Sequence, residues 1–169
     1  LLAAGPATGR VAVSEAQKAG SALTLSQRAG LRYEAKVQRL LAERWPASYR
    51  PAIWIEFRAS PLPAEGRTAC ISSFTSPWRL CQPDGLLDAD DTIVVLELKA
   101  QHTQNAWWQL RKLYQPVVQA LYPSRSVRVC EVCQSYLPGA FPEDVRLLSS
   151  LDDLAALDAD DFYVLPLRL

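Results

Sequence analysis

Thr92-Ile93-Val94-Val95-Leu96-Glu97-Leu98-Lys99-Ala100 is the most hydrophobic stretch of the chain, and its last third carries two charges. An unbroken apolar run such as Ile93 to Leu96 predicts a central strand covered on both faces. In a strand, residues i and i+2 project to the same side. Glu97 and Lys99 therefore share one face, and Leu98 points to the other, into the core. Charges are costly at such a position unless paired or bound to metal.

The neighbouring elements follow from their own patterns. Thr24 with Gln27 three residues on fits a capping box, opening a helix that runs to about Trp45 and stops at Pro46. Its apolar stripe is Gly30, Tyr33, Val37, Leu40, Leu41 and Trp45. Ile53, Ile55 and Phe57 alternate with polar or aromatic residues as a strand. Further strands are predicted at about Ala69 to Phe74 and from Trp78 to Leu87, the latter bent near Pro83, with a turn at Asp88-Ala89-Asp90-Asp91. Beyond the central strand, a helix starts near Asn105 with a kink or break expected at Pro116. Val127 to Val132, Val145 to Leu148, Leu151 to Leu157 and Phe162 to Leu167 read as strand, strand, short helix capped by Ser150, and strand. Residues 1–22 lack periodicity and read as a flexible N-terminal segment, leaving 23–169 as a single domain.

Pro83-Asp84 lies on the strand preceding Glu97-Leu98-Lys99. If the two segments pair, Asp84 reaches the same patch as Glu97. Two carboxylates and the Leu98 carbonyl supply enough oxygen ligands for Mg²⁺, which keeps several waters of its own. A lysine on the same face can orient an attacking water or stabilise charge at phosphorus. Glu34 lies on the helical wheel between Leu41 and Trp45, the one charge of the first helix turned inward. It reads either as a site residue or as a rim carboxylate paired with Arg79 or Lys99.

The Pro83-Asp84 and Glu97-Leu98-Lys99 pair, with the order helix, strands, helix, strand around it, resembles the PD-(D/E)XK nuclease superfamily over about residues 24 to 133. The resemblance implies an α/β restriction-endonuclease-like core, a central mixed β-sheet flanked by helices (αβββαβ). It implies an Mg²⁺-dependent (or Mn²⁺-dependent) deoxyribonuclease in which Asp84 and Glu97 bind the metal and Lys99 assists. Gly30-Leu31-Arg32-Tyr33-Glu34 looks like the position at which many members place a helix Glu at the metal. Gln109 and Tyr114 are similar to the Gln and Tyr of nucleases related to bacterial recombination exonucleases, with one residue more between them. The expected partner is DNA, alongside a homo-oligomer or a DNA-processing protein. The alternatives are a catalytically silent DNA-binding subunit and a nuclease directed at RNA.

With 18 basic and 18 acidic residues the formal net charge is zero, so nucleic-acid binding must rest on a local patch. Arg32, Lys36 and Arg39 on the first helix and Arg111 and Lys112 on the second are the expected patch, with His102 as a surface or DNA contact. The acid-rich tail, including Asp158 and Asp160, is expected to be a solvated rim. Trp108 on the outer side of the second helix, with Trp107 on its flank, either stacks on bases or seals a partner interface. Cys130-Glu131-Val132-Cys133 is a CxxC, but strand alternation sends its cysteines to opposite faces. With Cys70 and Cys81 they read as buried thiols rather than a cluster site. No P-loop, G-x-S-x-G or H-E-x-x-H pattern occurs, and no apolar run approaches the ~20 residues of a membrane span. Leu1-Leu2-Ala3-Ala4 is too short for a signal-peptide core, so a cytoplasmic protein is the expectation.

Overall fold

A computed structural model of the chain describes residues 23–58, 78–136 and 145–169. The expected strand at Ala69 to Phe74, the N-terminal segment 1–22 and Cys70 lie outside the described residues. Helix α1 (Leu25–Arg44) starts as its sequence dictates. The Thr24 hydroxyl accepts from the Gln27 amide at 3.2 Å and the Gln27 side chain accepts from the Thr24 amide at 2.8 Å. There follow β1 (Tyr49–Pro51), β2 (Ile55–Arg58), β3 (Trp78–Cys81), β4 (Gly85–Ala89) and β5 (Thr92–Gln101). Helix α2 has three contiguous parts, α-helical over Gln104–Trp108, π-helical over Gln109–Tyr114 and α-helical again over Gln115–Leu121. Strands β6 (Ser126–Ser135), β7 (Val145–Leu147), a 3-10 turn (Leu151–Ala156) and β8 (Phe162–Pro166) complete the order.

Six strands form a mixed sheet in the order β1-β4-β5-β6-β8-β7. β1, β4 and β5 are antiparallel neighbours, whereas β5-β6, β6-β8 and β7-β8 are parallel. β5 is central, as its apolar run requires. Alternation along it divides the core: Val94, Leu96 and Leu98 pack on the α1 side with Tyr33, Val37 and Leu41. Ile93 and Val95 pack on the α2 side with Leu110, Tyr114 and Val118. Each such fully buried aliphatic side chain contributes about 1.5–3 kcal/mol. Cys130 and Cys133 fall in opposite layers, and Cys81, Cys130 and Cys133 are free and buried.

One expectation is corrected and one strand is added. The segment Trp78 to Leu87 is not one bent strand: it is broken at Gln82-Pro83-Asp84, and β3 pairs with β2 in a separate two-stranded sheet. Pro83 has no N–H for a ladder, so the chain leaves one sheet and joins the other there. β1 was not foreseen; three residues ending in Pro51 are too short to show alternation. At the β4–β5 turn Asp90 takes φ 47°, and Arg125 donates to the Asp88 carboxylate at 2.7 Å and the Thr92 carbonyl at 3.1 Å.

β1 sits tightly on the start of β4. A methyl group added at Gly85 would fall 2.5 Å from Cε2 of the buried Tyr49 ring, whereas at Gly30 it would meet nothing within 4 Å. Gly85→Ala is expected to destabilise by about 1–3 kcal/mol through overpacking, and Gly30→Ala to be neutral or stabilising by up to about 1 kcal/mol. Urea denaturation of the two variants checks this; equal midpoints would refute it.

Candidate active site

The ladder between β4 and β5 ends at the pair Gly85↔Leu96. Just beyond it, Asp84 accepts the Leu98 amide on Oδ2 at 2.7 Å, so a side chain takes over where the neighbouring strand stops. This puts Asp84 beside Glu97 and Lys99 at the end of the central strand. Glu97 is 2% exposed. One of its oxygens forms an ion pair with the Lys99 ammonium, and the other, Oε2, is buried without a hydrogen-bond partner. Leu98, whose carbonyl is the third expected ligand, turns its side chain into the α1-side core.

The electrostatics identify a cluster of like charges held by one cation. Burial, and then the adjacent Asp84 charge, push Glu97 up to about 7. Burial raises Asp84 as well, opposed by the Leu98 amide and Lys99. Glu34 is half-buried on α1; burial and then Asp84 raise it, and Lys99 lowers it. Burial works against the Lys99 ammonium, but Glu97, Asp84 and Glu34 outweigh it and keep it raised. α1 and β5 thus bring Glu34, Asp84, Glu97 and Lys99 within mutual influence. Glu34 accepts from Gln38 at 3.2 Å. Among the described residues no three His, Cys, Asp or Glu side chains gather closely enough to hold an ion by themselves, so Glu34 does not join Asp84 and Glu97 in one three-carboxylate cluster. The donor set still fits Mg²⁺, which takes one or two carboxylates and fills its remaining positions with water. The unpartnered Glu97 oxygen and the carboxylate repulsion both call for a cation.

α2 lines the same side. The wide turn is real in its hydrogen bonding: the Gln115 amide bonds back five residues to the Leu110 carbonyl. Pro116 explains it, since proline lacks an N–H and its ring clashes with the carbonyl four residues back in a regular α-helix. The helix widens before Pro116 instead of breaking. Five residues per closure brings Gln109 and Tyr114 onto one face, where Gln109 lies close enough to act on the Tyr114 hydroxyl. The extra residue between them is therefore taken up by the backbone. Tyr114 also donates to the Gln82 carbonyl at 3.2 Å, and burial, Glu97 and Asp84 together raise its hydroxyl. Across β1, Tyr49 donates to the Asp84 carbonyl at 3.4 Å.

The expected nucleic-acid patch is only partly formed. Arg32, Lys36 and Arg39 are exposed on α1. Lys112 is exposed and lies over both the Trp107 and Trp108 rings, which meet edge to face. Arg111 is not a free surface cation: it donates to the Asp160 carboxylate at 2.8 Å, to the Asp160 carbonyl at 2.6 Å and to Gln115 at 3.0 Å. Asp158 and Asp160 are exposed, as a solvated rim requires, and within that rim Asp160 holds α2 and Asp158 pairs with Arg146 at 3.0 Å. His102 is also corrected. It is 8% exposed and bonds through Nδ1 to Glu131 Oε2 at 2.6 Å, so it is no surface contact. Glu131, fully buried on β6, was missed. Its signal was the one that singled out Glu97, an acid inside an apolar strand.

Among the described residues no helix is long and apolar enough to cross a membrane. No family profile, curated protein or solved structure matches the chain.

Proposed function

We propose that this chain is a divalent-metal-dependent nuclease of the PD-(D/E)XK type that hydrolyses phosphodiester bonds in DNA. The observation that carries the reading is the meeting of Asp84 and Glu97, two desolvated acids on adjoining segments, with the Lys99 ammonium bonded to one of them and one Glu97 oxygen unpartnered. The order α1, β1, β4, β5, α2, β6 fits an αβββαβ core, with the β2–β3 hairpin set inside it. The Gln109–Tyr114 pair on α2 adds support.

Asp84, Glu97 and the Leu98 carbonyl would hold the cation, with Glu34 supporting from α1. A bound Mg²⁺ or Mn²⁺ supplies an activated water and neutralises charge on the phosphate. Lys99 places a fixed positive charge beside that position and stabilises the negative charge that builds on the phosphoryl oxygens as water adds. Exposed Arg32, Lys36, Arg39 and Lys112 provide contacts for the backbone phosphates.

The test is incubation with linear and circular DNA, each single- and double-stranded, in Mg²⁺, Mn²⁺ or EDTA. Metal-dependent cleavage abolished by EDTA is expected, and loss of circles separates internal cutting from digestion at ends. Intact DNA together with cleaved RNA would move the substrate to RNA. Binding of DNA without cleavage of either would make the chain a silent binding subunit.

A further inference from the structure

Glu131 and His102 form a second buried polar pair beside the site. Glu131 on β6 lies in register with Glu97 on β5, on the same α2-side face, because Cys133 and Val129, two residues either way, belong to that layer. Neighbouring strands run about 4.8 Å apart, and Lys99 pairs in register with Cys133, so Glu131 lies diagonally across from it as the second carboxylate of that face. Only Glu97 receives the ammonium. Both oxygens of Glu131 are already taken. Oε2 accepts from His102 at 2.6 Å and Oε1 accepts from the Thr103 amide at 3.2 Å. The His102 ring is itself fixed, its amide donating to the Ser135 carbonyl at 3.0 Å and its ring lying 5.0 Å from Tyr136. It delivers Nδ1 to Glu131 even though its Nε2 is left buried and unpartnered, a cost that a purely space-filling residue would not require.

We propose that Glu131 and His102 are a positioning pair for Lys99: by occupying Glu131, His102 leaves Glu97 as the sole carboxylate that binds the ammonium. The inference takes the role of Lys99 from the proposed nuclease reaction, while the competition between carboxylates is independent of it. The electrostatics agree, since the Lys99 charge bears on Glu131 as well as on Glu97, Asp84 and Glu34. If His102 is replaced by an apolar residue, Glu131 loses a hydrogen-bond partner and keeps a free buried oxygen, and Lys99 is the remaining cation that acts on it.

The experiment uses three variants: His102→Leu, His102→Asn, which keeps a donor where Nδ1 stands, and His102→Leu combined with Glu131→Gln. The first readout is the ¹H–¹⁵N resonance of the Lys99 ammonium, assigned by its disappearance in Lys99→Arg. The only other lysines are Lys18, Lys36 and Lys112. The second is single-turnover DNA cleavage. In His102→Leu the Lys99 resonance is expected to shift and turnover to fall about ten- to hundred-fold, the range for residues that orient site ligands. In His102→Asn and in the double variant both are expected to return toward wild type. A merely structural role predicts the opposite for the double variant, which loses more native contacts than the single. An unmoved Lys99 resonance in His102→Leu, or one not restored by Glu131→Gln, overturns the proposal. If His102→Leu alone does not fold, the other two variants decide: a wild-type Lys99 resonance in both sustains the proposal, and a displaced one in either overturns it. Should the wild type cleave no nucleic acid, the nuclease reading fails while the resonance still settles the competition.

Discussion

Glu97→Gln is expected to abolish metal-dependent cleavage and, in EDTA, to raise the melting temperature at pH 8. The folded protein holds Glu97 up at about 7, against an ordinary value of 4.5, through burial first and Asp84 second. A carboxyl raised on folding stabilises while it is protonated in the fold. That contribution is complete below about pH 4.5 and is lost as pH rises through about 7. At pH 8 the wild type therefore carries an ionised, desolvated Glu97 that glutamine lacks, a difference of up to about 3 kcal/mol and several degrees in a domain of this size. At pH 4.5 the two proteins should melt together. Asp84→Asn, which keeps an acceptor for the Leu98 amide, should likewise abolish cleavage. Thermal melts from pH 4.5 to 8 beside cleavage assays provide the check. Full activity in either variant removes the assigned site, and a melting difference independent of pH removes the electrostatic argument.

Lys99→Met reverses the balance of effects. It leaves Glu97 and Asp84 buried with no cation, and breaking a buried pair costs up to about 3–5 kcal/mol; the Lys99 side chain is 30% exposed, which favours the lower end. Turnover is expected to fall about 10²–10³-fold, as for loss of a group aimed at developing charge. Affinity for Mg²⁺ should stay the same or rise, because a positive charge has left the neighbourhood of the ligands. Calorimetric Mg²⁺ titration and single-turnover rates at saturating metal separate these effects. Weak metal binding with normal saturated turnover would show that Lys99 serves the metal and not the reaction.

The parts of the fold that local chemistry determines were legible. The Thr24–Gln27 cap, the Ile93 to Leu96 run and the alternation of Cys130 with Cys133 each need only near neighbours in sequence. What escaped depends on partners far along the chain. His102 looks like a loop residue until Glu131 is brought against it, and Arg111 looks free until Asp160 returns beneath α2. The break at Gln82-Pro83-Asp84 was visible as a bend, but a proline does not say which sheet each flank joins. In the candidate site, the i, i+2 relation placed Glu97 and Lys99 on one face. Whether Asp84 and Glu34 approached them rested on packing that no spacing encodes.

The wide turn of α2 also bears on how such a helix can change in length. Inserting a residue into a straight α-helix rotates everything beyond it by about 100° and would exchange the buried and solvent faces. Here the surplus is confined between Gln109 and Tyr114, and Trp107 before it and Val118 after it pack in the same core layer. The stretch Leu110 to Leu113 is thus the one place in α2 where the chain can lose a residue by closing a π-turn into an α-turn, with the distal half staying in phase and the glutamine–tyrosine contact surviving the change.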